Sequence, residues 1–450
     1  MKVATFERGV HPSSHKELTE NKSIINATIP EKVIIPLSQH LGAPCNSTVS
    51  IGDEVKRGQV IGVSDSFVSA PVHSSICGKV IAIGEFPHPS GKDVISVVIE
   101  EDGMDEWVDG LKENPDYINL PLEDLRRIIR DAGIVGLGGA AFPTHVKLSP
   151  PKEKPIDSVI INGAECEPYL TADHRLMLEN PSEIINGLKI LMKILGVKKG
   201  YVGIEENKPD AIKTMTDTAS KEHHKKSKDF LGTPEPDINV VPLEAKYPQG
   251  AEKMLIKAIL NREVPAGGLP MDVGVVVHNV GTTKAIYDAV RFGRPLIERV
   301  ITVTGKGIKE PKNLRVRIGT LFSHLIEECG GLNGKIGKVI AGGPMMGIAQ
   351  YTLDVPVVKG TSGILVLSAD EVSVEEYGPC IRCGRCIDYC PMGLQPSIIS
   401  ILVEKGRYDE ARGYDCMDCF ECGTCAYVCP ARRPLVQFIK LAKLELSRKG

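Results

Sequence analysis

The spacing of apolar residues changes three times along the chain, and each change predicts a different architecture. From about residue 30 to 100 the pattern is short apolar runs broken by turn signals, as at 33–37 (Val-Ile-Ile-Pro-Leu), 51–62 and 69–80. Runs this short, bounded by Gly, Pro and Asp, predict a compact all-β unit. From 105 to about 300 the rhythm alternates. Apolar stretches rich in β-branched residues at 158–161, 201–204, 238–241 and 273–277 predict strands, and 249–260 and 282–292 read as helices between or after them. That alternation predicts an α/β layered domain with a largely parallel sheet, whose strand ends are where ligands bind. From 299 to 350 a strand at 299–305, a helical stretch from 318 to 329 and a further strand near 338 predict a small β-rich module. Residues 351–379 read as a connector. Beyond them Ile398, Ile399, Ile401 and Leu402 keep helical register, as does 435–446, so the last part is mainly helical.

Length and composition narrow the class. At 450 residues the chain exceeds one ordinary domain, and a net charge of −3 gives no case for nucleic-acid binding. No apolar run reaches membrane-spanning length, and the first residues lack a charged-then-apolar leader pattern. The expectation is a soluble or peripheral protein in a reducing compartment.

The cysteines carry the most specific signal. Nine of the 13 fall in the last 71 residues, and the run C-x₂-C-x₂-C-x₃-C-P occurs twice, at 380–391 and at 419–430. This is the spacing that holds a [4Fe–4S] cluster, with the fourth cysteine of each run reaching the other cluster. One cluster is therefore expected on Cys380, Cys383, Cys386 and Cys429, the other on Cys419, Cys422, Cys425 and Cys390. Zinc also uses C-x-x-C pairs, but it gives no reason for a third cysteine at the same step or for the closing proline. Cys416 stands at that step before Cys419 and is expected to be a spare thiol.

Two polar stretches of the α/β region suit a ligand. Residues 136–147 read Gly-Leu-Gly-Gly-Ala-Ala-Phe-Pro-Thr-His-Val-Lys, and glycines of this kind let backbone N–H groups approach a phosphate. After the predicted strand at 158–161 comes Asn162-Gly163-Ala164-Glu165-Cys166-Glu167-Pro168, polar and acidic where a parallel strand ends.

These features together identify a family resemblance. The phrases Gly-Asp-x-Val-x-x-Gly-x-Val and Pro-Val…Gly-Lys-Val at 52–60 and 71–80 look like a barrel-sandwich, lipoyl-like fold, although its hairpin tip, 67–74, has no lysine to carry a swinging arm. The 299–350 module resembles an SLBB-type β-grasp. Thr5-Phe6…Gly9-Val10-His11-Pro12 with Lys16-Glu17-Leu18-Thr19, the glycine loop, the Asn162–Pro168 stretch and the double cysteine run resemble the RnfC family of Rnf electron-transport complexes over nearly the whole chain. The middle is also similar to the NADH-binding flavoprotein subunit of respiratory complex I, which holds FMN without a covalent bond.

The resemblance implies a multidomain α/β protein. Its parts are a barrel-sandwich domain over 1–104, an FMN/NAD(H)-binding α/β domain over 105–298, an SLBB-type domain over 299–350 and a mainly helical two-cluster ferredoxin-like domain over 365–450. Position by position, Gly136, Gly138, Gly139 and Lys147 match the phosphate end of the relative's FMN site. Phe142 is the aromatic that matches its adenine-holding rings. Asn162, Glu165 and Glu167 match its acidic strand end, Tyr247, Gly250 and Glu252 a Tyr-x-x-Gly-x-Glu motif near the flavin, and Asn279 and Thr282 an Asn-Val-x-Thr loop. An Asp of the relative is Ala164 here. Glu165 is expected to orient and tune, and no catalytic acid or base is expected. The implied role is a peripheral subunit on the cytoplasmic side of the membrane. It would pass electrons between NAD(H), non-covalent FMN and two [4Fe–4S] clusters in a ferredoxin:NAD⁺ oxidoreductase whose other subunits translocate ions. A cobalamin reductase of the propanediol-utilisation type and a non-catalytic electron-transfer scaffold are the alternatives.

Overall fold

The structure, a computed structural model, describes residues 3–224, 236–373 and 376–449. At the N-terminal end, Lys32–Pro36, Asp93–Glu101, Gly78–Pro87 and Glu54–Val55 pair in that order as a four-stranded antiparallel sheet. Asn46–Ser47, Val60–Val63 and Val72–His73 form a smaller sheet. Val33, Ile35, Ile61, Val72, Val97 and Ile99 fill the space between them.

The α/β part is a four-stranded, all-parallel sheet in the order Asp237–Leu243, Lys199–Glu205, Ser158–Gly163, Val275–Asn279. Side chains alternate across it as a pleated strand requires. Val159 and Ile161 join one core with the helices Pro181–Leu195 and Val280–Phe292. Ile160 joins the opposite one with Leu255 and Ile256 of the helix Glu252–Leu260. Helices thus cover both faces, and the strand ends at Gly163, Glu205, Leu243 and Asn279 open along one edge.

The β-grasp sheet is larger than the 299–350 stretch from which it was expected. Glu298–Thr304, Lys312–Arg317 and Ile336–Ala341 are joined by Gly363–Ser368 in the interior and by Ile24–Asn26 at the edge. The 351–379 segment is therefore more than a connector, because its apolar run Gly-Ile-Leu-Val-Leu-Ser is buried in this sheet. The N-terminal strand is fastened by the buried Asn313, whose Nδ2 donates to the carbonyls of Thr19 (3.0 Å) and Lys22 (3.2 Å).

In the C-terminal part the helices Pro396–Glu404 and Leu435–Lys449 pack through Ile399, Leu402, Val403, Ile439 and Leu446. No helix among the described residues is long and apolar enough to cross a membrane.

Candidate functional site

Both cysteine runs use the same backbone device. The residue before the second cysteine is left-handed, Arg382 at φ 57° and Glu421 at φ 65°, and the glycine after it is as well, Gly384 at φ 80° and Gly423 at φ 85°. This turns three closely spaced thiols inward, and a four-residue helix then carries the chain to the last cysteine. Cys390, Cys419, Cys422 and Cys425 line one void together with Leu394, Val436 and Ile439. Cys380, Cys383, Cys386 and Cys429 line a second, whose charged lining residues are Arg382 and Arg433. The thiols surround these voids instead of closing on a point. Among the described residues no three His, Cys, Asp or Glu side chains form a single-ion site. Four soft sulfur donors around a space without carboxylates fit a [4Fe–4S] cluster in each ring. Cys416 lines neither void and is buried among Ile399, Leu402 and Ile439.

The sheet-end site is assembled from distant segments. The glycine loop closes on itself, with Gly136 N donating to the Phe142 carbonyl (2.9 Å). It is pinned from two sides, because Leu137 N donates to Thr282 Oγ1 (2.8 Å) and Arg299 Nη1 donates to the Leu137 carbonyl (3.1 Å). A β-carbon at Gly138 would come within 2.9 Å of Asn279 Nδ2, so the loop lies directly on the residue that caps helix Val280–Phe292. Asn279 Oδ1 accepts from Gly281 N (2.7 Å), and its Nδ2 donates to Asp173 (2.6 Å). The exposed Gly138, Gly139 and Ala140 have backbone N–H groups that donate to no acceptor among the described residues. Successive free N–H groups in a glycine-rich turn are an anion cradle, and they fit the terminal phosphate of FMN.

The other expected site residues already have protein partners. Lys147 Nζ donates to Glu252 (2.7 Å) and to the Val277 carbonyl (3.2 Å). Asn162 Nδ2 donates to the Gly250 carbonyl (2.8 Å), and Gly250 N donates to Cys166 Sγ (3.2 Å). Glu165 is left-handed at φ 48°, and both its carboxylate oxygens accept from the helix Ala172–Glu179, from Asp173 N (2.8 Å) and His174 N (3.1 Å). Glu167 accepts from Met345 N (3.0 Å) and Met346 N (2.8 Å) of the β-grasp, and burial pushes its carboxyl up to about 7. Burial first and Glu165 second push the Asp173 carboxyl up to about 7 as well.

Two buried lysines that sequence reasoning passed over hold this strand end. Lys16 Nζ donates to the carbonyls of Glu165, Glu167 and Leu170, and Lys208 Nζ to the Ala164 carbonyl and to Glu205. Lys16 lies in the Lys-Glu-Leu-Thr stretch near the N-terminus, which was the one signal available for it. Asp173 stands in the Asp-His-Arg stretch that follows the polar strand end, whereas nothing local marked Lys208 or Arg299.

Tyr247 joins the two sites. Its hydroxyl donates to the carbonyl of Cys422 (2.6 Å), and it packs with Val10 and Cys422 in a small core that also takes in Cys166, Met345 and Phe420. The ring containing Cys422 is therefore the one against the α/β sheet. The other ring presents Cys383 to solvent.

A parallel α/β sheet with an anion cradle at its strand ends, packed against two four-thiol rings, defines an iron–sulfur electron-transfer protein with a nucleotide-type site. Comparison with known proteins agrees part by part. Residues 4–104 match the RnfC barrel sandwich hybrid domain, 129–288 the Nuo51 FMN-binding domain, 300–349 the SLBB domain and 379–432 the 4Fe-4S dicluster domain. The chain is 53% identical over its whole length to the C subunit of the proton-translocating ferredoxin:NAD(+) oxidoreductase complex of Clostridium ljungdahlii, covering 95% of that protein. It is 46% identical, again over its whole length, to the C subunit of the Na(+)-translocating complex of Acetobacterium woodii, covering 99% of it. With the C subunit of the ion-translocating oxidoreductase complex of Rhodobacter capsulatus it shares 44% over 98% of this chain and 83% of the relative. An NAD+-reducing [NiFe]-hydrogenase crystal structure shares the fold over 74% of this chain and 62% of its own, with a TM-score of 0.51 and 16% identity. The chain belongs to the RnfC family, the C subunits of ion-translocating ferredoxin:NAD(+) oxidoreductase complexes.

Proposed function

We propose that this chain is the NAD(H)-interacting flavo-iron–sulfur subunit of such a complex, peripheral on the cytoplasmic face of the membrane beside its other subunits. The observation that carries this reading is Tyr247, which ties the strand-end loop of the α/β sheet to the backbone of a cluster-ligand cysteine. Bound FMN would supply the conversion between the two-electron chemistry of NAD(H) and the one-electron chemistry of iron–sulfur centres. The protein supplies position. Gly138, Gly139 and Ala140 offer donors for a phosphate. Thr282 and Arg299 hold the loop that presents them. Asn162, Gly250 and Cys166 fix the floor of the strand end. Cys390, Cys419, Cys422 and Cys425 would hold the inner cluster, and Cys380, Cys383, Cys386 and Cys429 the outer one. Glu165 acts through the helix it caps. The domain limits given above remain part of this proposal, with the β-grasp taking strands from both sides of its span.

The test is anaerobic reconstitution with iron, sulfide and FMN, removal of free flavin, then NADH. Eight irons per chain and bleaching of flavin followed by cluster absorbance are expected. Flavin that washes out, or that stays bound and is not reduced, would leave only the electron-transfer scaffold reading.

A further inference from the structure

The N-terminal stretch Thr5-Phe6…Gly9-Val10 is a strap between the α/β sheet and the inner ring. It first follows the sheet. Ala4 N donates to the Pro242 carbonyl (2.9 Å) and Glu244 N to the Ala4 carbonyl (2.9 Å), where the edge strand Asp237–Leu243 ends. Lys246 Nζ donates to the Phe6 carbonyl (2.6 Å) and stands 4.5 Å over the Phe6 ring. Val10 and Tyr247 exchange both backbone bonds, each at 2.8 Å. Between these anchors the strap turns to the cysteines. Gly9 N donates to the Tyr389 carbonyl (3.2 Å), and Arg8 Nη1 donates to the carbonyls of Ile387 (3.4 Å) and Cys390 (3.3 Å). A β-carbon at Gly393 would stand 3.4 Å from Arg8 Nη1, so the guanidinium lies close against the turn that Gly393 N closes on the Cys390 carbonyl (3.0 Å).

The charge of Arg8 is uncompensated. The side chain is exposed, yet it forms no ion pair among the described residues. The other cations that touch the rings differ. Lys443 Nζ donates to the Cys419 carbonyl but also to Glu421 (2.9 Å), and Arg433 at the outer void is paired with Glu404 (2.5 Å). Cys390 completes the inner ring, so Arg8 holds a positive charge beside one of its four ligands. A cluster on four thiolates is anionic and gains one more negative charge when it takes up an electron, and net charge around it is among the factors that set its potential. We propose that Arg8, acting through the Cys390 turn, raises the potential of the inner cluster and so favours the electron on the ring that faces the α/β sheet. Arg8 is a positioning residue for electron transfer and not a catalytic one. The proposal rests on the cluster assignment above and is independent of the flavin.

The experiment is an EPR-monitored redox titration of the full chain reconstituted with iron and sulfide, with dithionite and mediators supplying one electron per cluster. Losing a positive charge destabilises the more negative, reduced form, so the potential should fall. In Arg8→Gln one midpoint should move down, by a two- to fivefold change in the reduction equilibrium, about the scale of one exposed charge interaction, while the other midpoint stays. Arg382→Gln, which removes a charge lining the outer void, should move the other midpoint. Arg8→Lys should restore most of the wild-type value, and the Arg8→Gln shift should shrink in high salt, as an exposed charge effect must and a packing effect need not. Iron content should match wild type in all three variants. Midpoints untouched by Arg8→Gln, both midpoints moved equally, a shift of the same midpoint that Arg382→Gln moves, or a cluster lost with Arg8 would each overturn the proposal while leaving the ring assignment intact. A wild-type chain that takes up no cluster would overturn both.

Discussion

The thiol rings and the sheet-end site are built in opposite ways. Each ring takes three of its four ligands from seven consecutive residues, and the linings are apolar apart from Thr424 in the ring of Cys422 and Arg382, Arg433 and Ser397 in the other. The sheet-end site gathers Gly138, Asn162, Tyr247 and Asn279 from across the domain, and nearly every polar group in it already has a protein partner. The first arrangement leaves its donors to the metal. Among the described residues the second leaves the N–H groups of Gly138, Gly139 and Ala140 and the buried side-chain amide of Gln249 without a protein partner, and spends its charged side chains on shape. Losing one donor should therefore be catastrophic in the rings and graded at the sheet.

The largest effect is expected in the rings. Cys422→Ser should remove one cluster of the two, halving iron and sulfide, whereas Cys416→Ser, buried outside both voids, should keep both. Iron analysis and EPR of the two variants decide. A cluster lost with Cys416 would break the ring assignment itself.

At the sheet the sharpest contrast is between neighbours. A β-carbon at Gly138 meets three atoms of Asn279 at 2.9–3.1 Å, while at Gly139 it meets nothing within 4 Å. Gly138→Ala is expected to weaken FMN by about 1–3 kcal/mol, the usual range for overpacking, and Gly139→Ala by much less. Flavin affinity by fluorescence quenching measures both. Equal losses would mean that the loop is not held against Asn279 when it binds.

These differences set what could be read in advance. The ring ligands were legible because their spacing is short-range and the coordination chemistry demands it. The parallel sheet was legible from its β-branched runs, since Val159, Ile160 and Ile161 are all buried. The strand Ile24–Asn26 was not, because its partner Lys312–Arg317 lies nearly three hundred residues away and its own burial is slight. Glu165 was legible as a strand-end carboxylate. Its two bonds to the following helix needed the left-handed turn that only the fold shows. Lys16 and Lys208 look like ordinary surface lysines in sequence, and their burial depends on carbonyls that converge from elsewhere.

Acid should separate the regions next. Burial first, then Lys359, holds the His73 imidazole down to about 3, and burial holds the Lys359 ammonium down to about 7. Both groups bridge the barrel-sandwich and α/β domains, with Lys359 Nζ donating to the carbonyls of Pro71 (2.7 Å) and Gly133 (2.8 Å). For each, the unfolded chain binds the proton more tightly than the folded one, so stability rises with pH. For His73 this contribution is intact above about pH 6.5 and is lost as pH falls toward 3. At pH 5 the loss is about 2 kcal/mol, since one pKa unit is worth about 1.4 kcal/mol. Thermal melts from pH 5 to 8 should flatten in His73→Gln. An unchanged slope would assign the acid sensitivity elsewhere.

The smallest effect is the one whose sign teaches most. Lys147 and Glu252 were both expected to face the flavin, yet they form an ion pair at 2.7 Å, each partly exposed at 28% and 37%. Such a pair is worth about 0.2–1 kcal/mol, and while it holds, the lysine's charge is largely neutralised toward any phosphate. Lys147→Ala should therefore weaken FMN by no more than about 1 kcal/mol, less than a free charge-assisted contact would cost. Glu252→Gln removes the competing anion and frees the ammonium. If Lys147 serves the phosphate, this variant should bind FMN more tightly than wild type, and Lys147→Ala should cancel the gain in the double variant. If Glu252 itself touches the flavin, the single variant binds more weakly and the cycle is additive. Titrating the four proteins with FMN at low salt, where the pair is least screened, separates these outcomes. Equal affinity in all four would place the phosphate wholly on the Gly138–Ala140 amides, the extreme form of the contrast between donors kept free and charges spent on shape.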